Sequence, residues 1–222
     1  MRTLSQKQSI YDVEQLDDEA LALILKPEMK VQVTHNEIAA DGSEKKVNST
    51  IEGTVFDKVH PNCLVFSDNN RLFVGDSLGG ISVWDIAIRY GNIVAENNFK
   101  VTHKELEGDQ INNLIVHPDQ TNQIFVHSRD NCIRLVEFDS YRGTRIKKRF
   151  FGAMCKNLQV RSTISPDGQF LISGSEDGKP RIWDASLEQM YRTGAYECKL
   201  LDMVSDCVWN PRYNMFAVCG FG

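Results

Sequence analysis

The amino-acid sequence predicts an all-β protein made of a repeated strand–turn–strand unit. The run SPDGQFLISGSEDGKPRIWDA, residues 165–185, contains a Pro-Asp-Gly turn, an apolar run, an Asp-Gly hairpin signal and a second β-type run that includes Trp183. The same order of signals recurs at intervals of about 45 to 50 residues. A repeat of this period indicates an array of similar supersecondary units.

Four copies of this pattern align at the residue that opens the first turn. These residues are Ser67, His117, Ser165 and Asn210, and we name the copies units 1 to 4. In units 1 to 3 the distance from this residue to the end of the hairpin is nearly constant, at 17 to 19 residues, whereas the connections between hairpins vary in length. A packed unit with loops inserted at its rim has this property.

Units 1 and 3 close with a Trp-Asp pair, and unit 2 has Val136-Glu137 at the same position. The units therefore resemble WD repeats, and the resemblance implies four-stranded blades of a β-propeller, with about 40 to 45 residues in each blade. The positions to which it assigns a structural role are Trp84, Asp85, Asp130, Asp177, Trp183 and Asp184. WD repeats often have a Gly-His pair before the first strand, which this sequence lacks, and Leu78 stands at the turn aspartate of unit 1. We therefore do not expect a complete His-Ser-Asp-Trp hydrogen-bonded tetrad.

Read in order, the units resemble the last WD repeats of jouberin proteins, a group of ciliary scaffold proteins, over roughly residues 60 to 222. The similarity includes the Phe-Phe-Gly-Ala sequence at 150–153 and the stretch from Asn210 to Gly222. The resemblance implies a non-enzymatic scaffold for cilium assembly at the ciliary base, in the basal body or transition zone. The implied partners are other proteins of a ciliary or cytoskeletal assembly. The alternative is a WD-repeat subunit of another complex, such as a ubiquitin-ligase receptor or an RNA-processing assembly.

We divide the chain into an N-terminal segment, residues 1–50, and a WD-repeat propeller segment, residues 51–222, with three full blades and part of a fourth. The N-terminal segment is interpreted as a degenerate blade, and a short helix within residues 8–25 is a competing interpretation of its start. Seven blades need about 300 residues. We therefore expect either that the chain is a segment of a longer protein or that another chain completes the ring, and we expect unpaired strand edges to promote association.

Composition and motifs argue against several functional classes. The chain is 41% hydrophobic and 25% charged, which is ordinary for a folded domain. No signal peptide or long apolar run is found, so we predict a cytoplasmic protein without a transmembrane segment. The six cysteines show no paired short spacing, Gly75–Gly80 lacks the lysine of a phosphate-binding loop, and the histidines show no metal-ligand pairing. We expect no catalytic, metal or cofactor site and no small-molecule substrate.

One stretch, residues 142–149, concentrates positive charge in a chain whose net charge is −5. Its basic residues are Arg142, Arg145, Lys147, Lys148 and Arg149. Either they are the solvated decoration of an outer strand, or they form a docking patch for an acidic protein, such as the tubulin surface, or for a lipid headgroup. Nucleic acid is disfavoured, because the cluster is local and the sequence pI is about 5.6.

Overall fold

A computed structural model describes residues 9–15, 20–26, 30–38, 41–51, 59–67, 69–89, 92–139, 142–187, 189–195 and 202–222. All the regular secondary structure in these ranges consists of β-strands, so the all-β prediction is confirmed. The strands form four four-stranded antiparallel sheets and one two-stranded sheet. In each sheet, neighbouring strands are also successive in the sequence.

The three predicted full units are each one four-stranded sheet. Unit 1 consists of β5 (Pro61–Ser67), β6 (Arg71–Asp76), β7 (Ile81–Arg89) and β8 (Asn92–Val101). Unit 2 consists of β9 (Ile111–Val116), β10 (Gln123–Ser128), β11 (Cys132–Asp139) and β12 (Gly143–Phe151). Unit 3 consists of β13 (Ser162–Ile164), β14 (Phe170–Ser173), β15 (Arg181–Asp184) and β16 (Gln189–Ala195). Unit 4 is the two-stranded sheet of β17 (Met203–Trp209) and β18 (Phe216–Phe221).

The N-terminal segment also forms a four-stranded sheet. Its strands are β1 (Ser9–Gln15), β2 (Ala20–Lys26), β3 (Lys30–Ile38) and β4 (Glu44–Ile51). The helix interpretation of residues 8–25 is therefore wrong. The run ALALILK of β2 pairs with β1 on one side and β3 on the other, and pairing along both edges outweighs a weak local helical spacing. That this sheet is a degenerate blade of the same propeller remains our proposal.

The predicted turn chemistry is found in unit 3. Asp167 accepts a hydrogen bond from the Gln169 N–H (3.1 Å) and another from the Ser165 hydroxyl (2.5 Å), which closes the turn between β13 and β14. Gly168 has a φ of +70°, a conformation that glycine adopts without the strain a side chain would cause. The local sequence therefore determines where β13 ends and β14 begins.

The hydrophobic core lies between successive sheets rather than within one of them. One cluster joins units 1 and 2 and includes Phe73, Val83, Ile111 and Leu114. A second joins units 2 and 3 around Phe150. Units 1 to 4 thus bury apolar side chains against one another in sequence order, as the blades of a propeller do.

Because successive strands alternate in direction, two kinds of loop meet at one end of the sheets. These are the turns between the second and third strands, at residues 77–80, 129–131 and 174–180, and the connections between sheets, at residues 102–110 and 152–161. We call this end the connection face. Within the described ranges, no helix has the length and hydrophobicity that crossing a membrane requires.

Candidate interaction surfaces

The two Trp-Asp tryptophans lie in the core. Trp84 and Trp183 are each 1% exposed. The Trp183 Nε1–H donates to the Phe151 carbonyl (3.0 Å), and its ring meets Phe150 edge to face with centroids 6.3 Å apart. Since Phe150 and Phe151 belong to β12 of unit 2, Trp183 links two sheets and has little surface to offer a partner.

The aspartates beside these tryptophans lie at the surface and organise local structure. Asp85 pairs with Arg71 of the preceding strand (2.8 Å). Asp184 accepts hydrogen bonds from the Ser186 N–H (2.8 Å) and hydroxyl (2.5 Å). These bonds lower the pKa of Asp184. Both carboxylates therefore hold the ends of the hairpins in place.

The turn aspartates of units 2 and 3 share one arrangement. Asp130 accepts from the Ser128 hydroxyl (2.9 Å) and pairs with Arg134, and Asp177 pairs with Arg181 through two side-chain hydrogen bonds. The Arg134 side chain is largely buried, and hydrogen bonds from it help to lower the pKa of Asp130. Each hairpin turn is thus locked to its third strand by an aspartate–arginine pair.

In unit 1 the hairpin turn is also fixed by an aspartate, but by one that the sequence reasoning did not select. Asp76, at the end of β6, accepts the N–H groups of Leu78 and Gly80 (both 2.8 Å) and pairs with Lys100 of β8 (2.9 Å). Its side chain is 1% exposed. The substitution of leucine at the usual aspartate position is therefore compensated two residues earlier, and the signal was the aspartate that directly precedes the Ser-Leu-Gly-Gly turn.

A buried polar chain joins units 2 and 3, and sequence reasoning did not find it. His127 of β10 lies 2.7 Å from the Ser162 hydroxyl, which donates to Ser173 (3.1 Å), which in turn donates to the Gly174 carbonyl (2.8 Å). Because a carbonyl only accepts, this order places the histidine proton on Nδ1. Burial lowers the pKa of His127 to about 4. The neutral ring is therefore a structural group between two sheets.

The connection at residues 152–161 has no regular secondary structure, yet its backbone N–H groups form hydrogen bonds with both flanking turns. The Met154 N–H donates to the Ser175 hydroxyl (3.0 Å) and the Cys155 N–H donates to Asn131 Oδ1 (2.8 Å). Glu176 Oε1 accepts the N–H groups of Asn157 (2.6 Å) and of the next residue (2.7 Å). This part of the connection face is thus preorganised.

The basic stretch of residues 142–149 lies mostly on β12, the outer strand of unit 2. A β-bulge opposite Leu135 and Val136 shifts its register, and Arg145 and Lys147 both approach Glu137, at 2.6 and 3.5 Å. The Arg145 side chain nevertheless remains 64% exposed. These two cations therefore have a neighbouring carboxylate and remain accessible to solvent.

The other basic residues of the stretch have different surroundings. Arg149 forms two hydrogen bonds with Glu105 (2.8 and 2.7 Å), which lower the pKa of Glu105 to about 2. Lys148 donates to the carbonyls of residues 185 and 186 in unit 3 (2.7 and 2.8 Å). Arg142 is exposed, and its backbone N–H donates to Asp139 (2.9 Å). Lys148 and Arg149 therefore bond to other segments of the fold, whereas Arg145 and Lys147 pair within unit 2 and Arg142 is exposed.

The buried thiols have the properties of packing groups. Burial raises the pKa of Cys132 to about 11 and the pKa values of Cys155 and Cys207 to about 12, so these thiols stay protonated and weakly nucleophilic near neutral pH. Within the ranges that the structure describes, no group of three or more His, Cys, Asp or Glu side chains is placed to hold a metal ion.

Sheets in sequence order, buried tryptophans at the third strands and aspartate-locked hairpins are features that this chain shares with WD-repeat β-propellers. Residues 155–184 match the family described as WD domain, G-beta repeat. This match covers the end of a connection and the first three strands of unit 3.

Three known proteins illustrate the similarity. Jouberin of Rattus norvegicus is 26% identical over 167 residues, which cover 72% of this chain and 15% of jouberin. Pre-mRNA-processing factor 17 of Homo sapiens is 27% identical over 165 residues, which cover 72% of this chain and 26% of that protein. A chain in the crystal structure of the mitotic checkpoint complex superimposes with a TM-score of 0.64 at 18% identity, over 95% of this chain and 56% of that chain. The structural match supports the fold.

Proposed function

We propose that the protein is a non-enzymatic scaffold of the jouberin type that holds other proteins together at the ciliary base during cilium assembly. The observation that carries the proposal is the series of WD-type sheets whose turns and connections are fixed by internal hydrogen bonds. A rigid body with loops at both ends can hold several partners at set distances without performing chemistry. The similarity to jouberin supports the ciliary setting.

A test of this function is affinity purification of the tagged protein from ciliated cells, followed by mass spectrometry. The expected result is enrichment of basal-body and transition-zone proteins, together with tagged protein at the ciliary base by microscopy. A matched purification from cells that have withdrawn their cilia is the control. Recovery of partner proteins that include no basal-body or transition-zone component would contradict the proposal.

The second candidate function is a subunit of an RNA-processing assembly. The specific observation that favours it is the similarity to pre-mRNA-processing factor 17, which covers the same share of this chain as the similarity to jouberin. In the same purification, this function predicts nuclear processing components in place of ciliary ones. The two outcomes are distinguishable in one experiment.

As part of the scaffold function, we propose that Arg142, Arg145 and Lys147 form a docking patch for an acidic protein partner. Charges at the rim of an interface act mainly through long-range attraction, which salt screens over about 8 Å at physiological ionic strength. The double variant Arg142→Glu/Arg145→Glu should therefore bind such a partner more weakly and with less salt dependence.

The matched control for this patch is Arg212→Glu combined with Lys156→Glu, since both of these residues are exposed and lie outside residues 142–149. It changes the net charge by the same amount. If partner recovery and ciliary targeting of the first variant equal those of the control, the basic stretch is solvated surface.

A further inference from the structure

A cleft opens on the connection face, between the hairpin turn of unit 1 and the connection that leads to unit 2. Its walls are the turn at residues 77–80 and the segment at residues 100–108, and its volume is about 660 Å³. The Gly108 N–H donates to the Leu78 carbonyl across the two walls (3.0 Å). A backbone hydrogen bond therefore connects the two walls of the cleft.

Two glycines give the cleft its shape. Gly79 has a φ of +86°, and a Cβ atom there would overlap the Leu106 carbonyl. A Cβ atom at Gly80 would overlap the end of the Lys100 side chain. The turn can therefore approach the opposite wall and leave room for the Lys100 ammonium group only because both positions lack a side chain.

Lys100 supplies a fixed positive charge to the cleft. Its Nζ lies 2.9 Å from Asp76 Oδ2, and Asp76 is held by backbone N–H groups on its other oxygen. The Lys100 side chain is 38% exposed and lines the cleft. An ammonium group has three N–H donors. One serves Asp76, so two remain for a ligand.

Two further cationic or donor groups lie on the same wall. His103 Nδ1 accepts the Glu105 N–H (3.2 Å), which leaves Nε2–H as the donor of the ring. Lys104 is exposed and has no ion pair among the described residues. Among the described residues, Glu107 is the carboxylate that lines the cleft. Asp76 balances the charge of Lys100 and Glu107 that of Lys104, so the lining has an excess of N–H donors over carboxylate acceptors.

We propose that this cleft binds an acidic segment of a partner protein, with an aspartate or glutamate carboxylate between Lys100, His103 and Lys104. This inference rests on the scaffold function and names the chemistry of one partner contact. The N–H donors of Lys100, His103 and Lys104 favour a carboxylate, because an ionised carboxylate only accepts hydrogen bonds. A cleft of this volume between two loops accommodates an extended peptide rather than a single ion.

The experiment measures fluorescence polarisation of a fluorescein-labelled peptide of alternating glutamate and serine, added to the whole protein. The expected result is saturable binding that Lys104→Glu weakens by roughly tenfold or more, because the new charge repels the peptide. Among the described residues Lys104 has no ion pair to lose, so folding should be unaffected; the melting temperature checks this. His103→Phe should weaken binding less, since it removes one donor and introduces no negative charge.

Lys156→Glu is the matched control, because Lys156 is an exposed lysine in the next connection on the same face. Its binding should equal that of the parent. Equal weakening by both lysine variants would show non-specific attraction and overturn the proposal. So would unchanged binding by Lys104→Glu, or competition by inorganic phosphate at the same charge concentration as the peptide.

Failure here is distinguishable from failure of the scaffold function. If the peptide does not bind but ciliary proteins are still recovered from cells, the cleft proposal alone is wrong. If the peptide binds as described but no ciliary protein is recovered, the cleft is a peptide site and the ciliary function is wrong.

Discussion

Replacing Trp183 with alanine tests whether the repeat register is correct. The indole ring is buried between β12 and β15, touches Phe150 and donates a hydrogen bond to the Phe151 carbonyl. Truncating a buried tryptophan costs about 3 to 5 kcal/mol, because apolar contacts are lost and a cavity remains. The Phe151 carbonyl also loses its partner. We expect a loss near the upper end of that range.

Two further variants separate the contributions. Trp183→Phe keeps an aromatic ring and removes only the donor and part of the volume, so we expect a loss of about 1 to 2 kcal/mol. Leu187→Ala is the exposed control, since this side chain is 62% exposed just after β15. Exposed substitutions usually change stability by less than about 0.5 kcal/mol.

The assay is thermal and urea unfolding of each variant, followed by circular dichroism. For a chain of this size, 1 kcal/mol shifts the melting temperature by about 2 to 4 °C, so Trp183→Ala should melt about 10 °C or more below the parent. A Trp183→Ala protein that melts like the parent and has lost a partner would refute the reasoning, because Trp183 would then be a recognition residue.

Three further predictions concern the turns and the buried histidine. The pKa of His127 is about 4 in the folded state and about 6.5 in the unfolded state, so the unfolded state binds more protons between these pH values. The free energy of unfolding should therefore fall by about 3 kcal/mol as the pH drops from 6.5 to 4. The urea midpoint of His127→Gln should depend less on pH than that of the parent. Asp130→Asn should cost about 2 kcal/mol by urea unfolding, because it leaves the largely buried arginine of its hairpin without its closest carboxylate, whereas Asp177→Asn, in the more exposed equivalent turn, should cost less; equal losses would contradict this. Gly79→Ala and Gly108→Ala share a positive φ, but only Gly79 has a carbonyl where the Cβ would lie, so Gly79→Ala should lower the melting temperature more, and equal melting temperatures would show that the cleft wall moves freely.

The strands and turns of unit 3 could be predicted because their signals are local. The turn at Pro166-Asp167-Gly168 and the hairpin at Asp177-Gly178 depend on residues only a few positions apart. The helix predicted at β2 was wrong because the conformation there is decided by pairing with two other strands, which is not a local signal. A weak periodicity within one segment does not report such pairing.

The contacts between sheets could not be predicted from the sequence. His127 meets Ser162, which is 35 residues away, and Arg149 meets Glu105, which is 44 residues away. Such pairs depend on how separate sheets and connections pack. For this reason the basic residues of the stretch 142–149 gave no indication that two of them, Lys148 and Arg149, bond to other segments of the fold.

The order of contacts between the sheets predicts which parts of the protein unfold together. Among the described residues, all the extensive contacts between sheets join sheets that are successive in the sequence. Stability in such an array is approximately a sum over units and nearest-neighbour interfaces. Amide hydrogen exchange should therefore occur in blocks that coincide with single sheets. A partner that bridges two non-adjacent sheets would add a long-range link to the array, and its binding would slow exchange in both blocks together.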